Sequence, residues 1–293
     1  MELDYVKLKQ IKPALAGYIR EASTLLKPVA FTDEKAIHDV RVLMKKARAA
    51  LRLISSQLDP EFNNREKYAL REVGRIMSTW RETSVFRKTL KDLKKYRPEI
   101  FSKLEENEKI TSLMTKPGPE CLPPGDMQTG LQEIREILNK TGYRIRFEPI
   151  NNLDPRLLIK ELETTYNCVV NNYLLCRNNL KRSNLHELRK RSKDFLYQLW
   201  FFRPLNPSVI KQLEKRLDVM TLNLGKYNDL AQLIKALEYK LDIPSNNPAL
   251  DELVIIIREE QDKYLFKIWP AAYKIFCPGQ KLVNILGFRL LMI

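Results

Sequence analysis

Glycine is scarce in this chain, with 9 in 293 residues, about half of ordinary usage. All-β folds turn often and spend glycine in those turns, so the shortage argues against a turn-dense β chain. Cysteine is thin as well. Cys121, Cys168, Cys176 and Cys277 stand apart, with no C-x-x-C pair and no neighbouring histidine. That spacing fits free thiols in a reducing compartment rather than a zinc or disulfide framework. Long apolar runs are missing too. Nothing approaches the ~18 uninterrupted apolar residues of a membrane span, and the opening MELDYVKLKQIK has no signal-peptide core. The expectation is a soluble cytoplasmic protein with no membrane attachment. No G-x-x-x-x-G-K-[ST] phosphate loop occurs, and no carboxylate pair shares a helical stripe with a histidine. A kinase or phosphatase needs such parts, so the expectation is a binding protein with no catalysis, no cofactor and no metal.

What the chain does have is positive charge. Lys and Arg number 51 against 36 Asp and Glu, for a formal net charge of +15, with hydrophobic residues at 44%. There is enough apolar material for a core. The charge directs attention to anionic partners: nucleic acid, an anionic surface or a phosphate polymer.

Proline divides the chain. Pro28, Pro60, Pro98, Pro155, Pro204, Pro207, Pro244 and Pro248 fence off stretches of helical length, which predicts an all-α fold. Thr32-Asp33 and Ser183-Asn184 stand where helix caps are expected. Four prolines and two glycines between Met114 and Asp126 rule out regular structure there. The expected division is a first half over 1–113, a linker over 114–127 and a second half over 128–293. Tyr143–Pro149 alternates polar and apolar residues and reads as an ordered or extended connection. The apolar segment from Lys281 to Ile293 is expected to pack on the body.

The only two histidines open the same pattern. His38-Asp-Val-Arg41-Val-Leu-Met-Lys45 and His186-Glu-Leu-Arg189-Lys-Arg-Ser-Lys193 lie 148 residues apart. Pro60 and Pro207 follow at an offset of 147, as do Met77-Ser-Thr-Trp-Arg81-Glu82 and Leu224-Gly-Lys-Tyr-Asn228-Asp229; Pro98 and Pro244 follow at 146. A near-constant offset marks two related halves, each a helical bundle.

At about 100° per residue, His38, Arg41, Lys45, Arg48 and Arg52 share an arc of roughly 80°. Val40, Leu43, Ala47, Ala50, Leu51 and Ile54 gather opposite. Like charges stacked at i,i+3 and i,i+4 work against their own helix, so the stripe points to an anionic partner rather than a solvated face. In the second copy His186, Arg189 and Lys193 share a stripe, with Arg182 behind and Lys190 beside them. Leu188, Phe195, Leu199 and Phe202 form its far face. This stripe ends sooner, at Leu196 and Trp200, so the half carrying His38 is expected to contribute more. Asp39 and Glu187 are expected to cap or pair. Arginine forks onto phosphate oxygens and lysine supplies a point charge. Nucleic acid is the alternative ligand, although no exposed aromatics interleave the stripes to stack bases.

These residues resemble the CHAD family, whose pattern is an H-x-x-R-x-x-x-[KR]-x-x-R helix in each half followed by a turn of the type L-G-x-x-[RN]-D. His38, Arg41, Lys45 and Arg48 match the first helix, and His186, Arg189 and Lys193 the second. Leu224–Asp229 matches the turn, and Met77–Glu82 is a looser version. The resemblance runs from about residue 5 to residue 275. It implies two four-helix bundles related by a pseudo-twofold axis, with a basic groove or pore between them that binds inorganic polyphosphate and could bring the protein to polyphosphate granules. Lys46 joins the implied site. No E-x-E-x-K motif of the triphosphate-tunnel domain is present, so the resemblance is to a stand-alone member. The second half departs from the pattern with Leu196 at the place of Arg48 and Asp194 at that of Lys46.

Overall fold

The computed structural model describes residues 8–26, 34–104, 124–150, 152–239, 248–277 and 279–287. Among them every regular element is helical. Ten α-helices run in order: α1 (Leu8–Leu25), α2 (Glu34–Leu53), α3 (Pro60–Tyr96), α4 (Pro98–Leu104), α5 (Pro124–Phe147), α6 (Pro155–Asn178), α7 (Arg182–Leu199), α8 (Pro207–Tyr239), α9 (Pro248–Ile275) and α10 (Leu282–Leu286), with short 3-10 turns at Ser55–Gln57 and Trp200–Phe202. The chain is all-α.

Proline sets the starts. Six of these helices open on one, where the missing N–H leaves nothing unsatisfied and φ is already helical. Aspartates cap two of them. The Asp59 carboxylate accepts from Phe62 N and the Asp154 carboxylate from Arg156 N, each at 2.8 Å. Pro13 and Pro270 instead lie inside α1 and α9.

Several local expectations change. Helix α5 begins at Pro124, so the last residues assigned to the linker are helical; Cys121 and the rest of that segment lie outside the described residues, as do Thr32, Asp33, Pro28 and Pro244. Tyr143–Phe147 is the last turn of α5 rather than an extended piece. Its aromatics are spaced i,i+4 and their rings lie 4.7 Å apart on one face, while Ile145 is buried. Helix α7 begins at Arg182, so Ser183 and Asn184 fall in its first turn and Lys181 takes the cap position without a side-chain bond. Asn184 Nδ2 donates back to Asn179 O at 3.0 Å. Leu224–Asp229 and Met77–Glu82 are not turns. They lie within α8 and α3, where no proline or second glycine interrupts the helix. Of the C-terminal segment, Leu282 and Leu286 are buried, and residues beyond 287 lie outside the described set.

Helix α2 packs on α1, α3 and α7; α5 packs on α1 and α3; α7 packs on α6 and α8, and α8 on α9. All six expected core residues from Val40 to Ile54, the last just past the end of α2, are buried, and Met44, Ala49 and Leu53 join them. Leu188, Phe195, Leu199 and Phe202 are buried as well. One apolar cluster runs from Ile11 to Leu286. A second gathers Phe86 and Leu90 of α3, Phe101 of α4, Leu233 of α8 and Ile257 of α9.

Two buried carboxylates, Glu66 and Glu214, sit 148 residues apart. Arg144 of α5 clamps Glu66 through Nε and Nη2. Arg203, in the turn before α8, holds Glu214 with Nε 3.0 Å from both oxygens. A carboxylate out of water is tolerable only when paired in this way.

Candidate functional site

The two histidine helices meet. Gln198 of α7, fully buried, donates from Nε2 to Ala49 O of α2 at 3.1 Å. Arg52 of α2 pairs with Asp194 of α7. Beside this contact, α2, α3, α7 and α8 enclose a cavity of about 620 Å³.

Its walls carry most of the predicted cations. Arg41, Lys45 and Arg48 come from α2, and Arg182, His186, Arg189, Lys190 and Lys193 from α7. The buried neighbours on each helix fix these directions: Val40, Leu43 and Ala47 turn α2, and Leu185, Leu188 and Ser192 turn α7. Arg41 Nη1 donates to Gly74 O of α3. Arg189 lies flat against Gly225 of α8, where an added Cβ would sit 3.1 Å from Nη2 and 3.2 Å from Nε. Glycine there gives the guanidinium its space.

Three predicted residues stand elsewhere. His38 is exposed and does not line the cavity. Lys46 extends toward α1, with Nζ 5.8 Å from the centre of the Tyr18 ring. Arg52 is engaged by Asp194. Three cations therefore come from α2, and α7 supplies four together with His186. The C-terminal end of the longer stripe lies at the junction with α7, where Arg52 meets Asp194.

Sequence reasoning misses Gln232 and Lys235, which also line the cavity, and reaches Ser78, Asn228 and Asp229 only as motif positions. Spacing holds the signal for two of them: Gln232 and Lys235 follow Asn228 at i+4 and i+7 on one helical face.

The electrostatics are uneven. Glu187 accepts from Lys190 Nζ at 3.1 Å and from Arg191 Nε at 2.7 Å, which is the pairing expected of it. Lys193 Nζ lies 3.1 Å from Asp218. Burial lowers the pKa of Arg48; Asp194 opposes this, and Arg52, Arg71 and Arg191 add to it. A guanidinium remains charged regardless. His186 is also held below its usual value. Partial desolvation is the main cause, opposed by the Asn228 side chain and reinforced by Arg189 and Lys190.

Among the described residues, no three His, Cys, Asp or Glu side chains gather closely enough to hold a metal ion. No helix among them is long and apolar enough to cross a membrane. Cys168, Cys176 and Cys277 are free thiols, and burial pushes Cys176 up to about 11.

Residues 14–238 match the CHAD domain. No curated protein matches the chain. Among solved structures, the chain is similar to the crystal structure of the CHAD domain from the plant Ricinus communis, with a TM-score of 0.66 and 15% identity over 93% of this chain and 92% of that one. It is also similar to PptA from Streptomyces chartreusis, with a TM-score of 0.60 and 16% identity over 89% and 98% of the two chains. These likenesses concern the fold. With the family pattern matched over most of its length, the chain belongs to the CHAD domain family.

Proposed function

We propose that this protein binds inorganic polyphosphate in the cavity between α2, α3, α7 and α8, and does so without cutting it. One observation carries the reading: eight Lys and Arg side chains line a single cavity together with only two carboxylates, Asp194 and Asp229. Asp194 is already engaged by Arg52. A cavity of such uneven charge lowers the free energy of a polyanion and raises its local concentration. Arginines offer forked donors to phosphate oxygens, and lysines add mobile point charges.

The helix packing supports an arrangement in two groups. Helices α1, α2, α3 and α5 pack among themselves, and α6, α7, α8 and α9 do likewise, with α2 against α7 at the junction. The repeat offset supports a pseudo-twofold relation between the groups, with the cavity beside their junction. On this reading α5, although it follows the proline-rich segment, belongs with the first group.

The test is a salt-titrated binding measurement with polyphosphate, in competition with DNA. Counterion release makes affinity fall steeply with salt for any phosphate polymer, so competition is the discriminating arm. Polyphosphate is expected to displace labelled DNA far better, per phosphate, than DNA displaces polyphosphate. Equal competition would favour a general phosphate-backbone binder. Reversing Arg41 and Arg189 together to Glu is expected to abolish polyphosphate binding while circular dichroism stays helical. Unchanged affinity in that double variant rejects the site.

A further inference from the structure

We propose that the cavity is the first of two basins on one anion track, and that a second basin between α8 and α9 holds the continuation of a long phosphate polymer through Arg258. This extension rests on the polyphosphate reading above. The second basin has a volume of about 460 Å³ and shares two wall residues with the first, Arg182 of α7 and Lys235 of α8. These two cations form the sill between the basins, so a chain leaving the first passes over them.

Beyond the sill lies Arg258 of α9. Among the described residues none of Arg182, Lys235 and Arg258 takes part in an ion pair. In the first cavity, by contrast, Lys190 and Lys193 are partly neutralised by Glu187 and Asp218. The basin is also built rather than incidental. Gln261 of α9, only 8% exposed, donates from Nε2 to Tyr227 O of α8 at 3.3 Å and ties the two helices at the basin wall. Arg182 and Tyr227 both line this basin. A single carboxylate, Glu238, lines the basin.

A third basic hollow between α8 and α9, around Lys215, Arg216, Lys267 and Lys274, shares no residue with either basin. It is off the track, and its lysines serve as a control.

The track makes a prediction about chain length. Tripolyphosphate fills the first cavity and gains nothing from Arg258, whereas a long chain reaches it. The experiment measures binding of tripolyphosphate and of long-chain polyphosphate to the full chain, across a salt series, for the native protein, Arg258→Gln and the control Lys274→Gln. For Arg258→Gln, affinity for the long chain should fall about three- to fivefold, the scale of one exposed charge pair. Its log–log salt slope should drop by about 0.7, the share of one phosphate that Arg258 no longer neutralises. Tripolyphosphate affinity should not change, and Lys274→Gln should match the native protein with both ligands. Equal losses for both ligands, or a long-chain loss of the same size in Lys274→Gln, overturn the track, as does an Arg258→Gln protein that binds long chains normally. If the native protein binds neither ligand, the functional reading itself fails, which is a different result from a failure of Arg258 alone.

Discussion

Arg52 on α2 and Asp194 on α7 form the ion pair that joins the two histidine helices. Each stands where the repeat breaks. At the offset of 148, Asp194 faces the place of Lys46, and Arg52 the place of Trp200. Two departures from the internal pattern thus meet each other across the junction. The cluster is larger than the pair, because Arg191 Nη1 lies 3.8 Å from the same carboxylate and Asp194 also acts on Arg48.

Asp194 is therefore expected to serve stability at some expense to the proposed binding. The side chains of the pair are 26% and 13% exposed, between the exposed and fully buried cases. Asp194→Asn should destabilise the free protein by about 1–3 kcal/mol, since it leaves Arg48, Arg52 and Arg191 to repel one another. The same change removes one of two carboxylates from the cavity wall, so polyphosphate should bind more tightly. Thermal melts with and without polyphosphate check both signs. The variant should melt lower alone and gain more than the native protein on adding ligand. A variant that loses affinity as well as stability would show that Asp194 positions the cations rather than dilutes their charge.

Two glycines in long helices separate stability from binding. Glycine inside a helix costs roughly 0.5–1 kcal/mol relative to alanine. At Gly74 an added Cβ meets nothing within 4 Å, while at Gly225 it meets the guanidinium of Arg189 at 3.1 Å. Gly74→Ala should raise the melting temperature and leave polyphosphate affinity unchanged. Gly225→Ala gains the same helical propensity but displaces the guanidinium by a few tenths of an ångström, so its affinity should fall. If both variants bind alike, the close approach of Arg189 to Gly225 has no part in setting the site.

Legibility follows the kind of information each feature needs. Helices can be read because proline and apolar spacing act locally: Pro60, Pro98, Pro155, Pro207 and Pro248 each open one. The cationic faces of α2 and α7 can be read for the same reason. What cannot be read is which end of a stripe meets another helix. Nothing local to Arg52 says that Asp194 will take it, because that pairing depends on how α2 crosses α7. Lys46 escapes a sequence reading in the same way, since only the position of α1 shows that its ammonium turns toward Tyr18. The L-G-x-x-N-D stretch reads as a turn only through the family resemblance. Here Gly225 makes room for a guanidinium from the neighbouring helix, a demand that lies outside its own segment.

His186 is expected to make the site respond to pH, with stability and polyphosphate affinity changing in opposite directions. Its folded value lies below the ordinary 6.5, so the folded protein binds fewer protons than the unfolded chain in the window just beneath. The stability linked to His186 is then fully present above pH ~6.5 and is lost as pH falls through the lowered folded value. Desolvation and the cations Arg189 and Lys190 disfavour the imidazolium in the cavity. A bound polyanion favours it, so binding takes up a proton and polyphosphate affinity should rise as the pH drops through the same window. Binding and melting curves between about pH 5 and 8 test both signs together. His186→Gln should flatten the low-pH rise in affinity, whereas His38→Gln, outside the cavity lining, should preserve it. A rise that survives in His186→Gln and vanishes in His38→Gln would move the titrating group out of the cavity to the exposed end of α2.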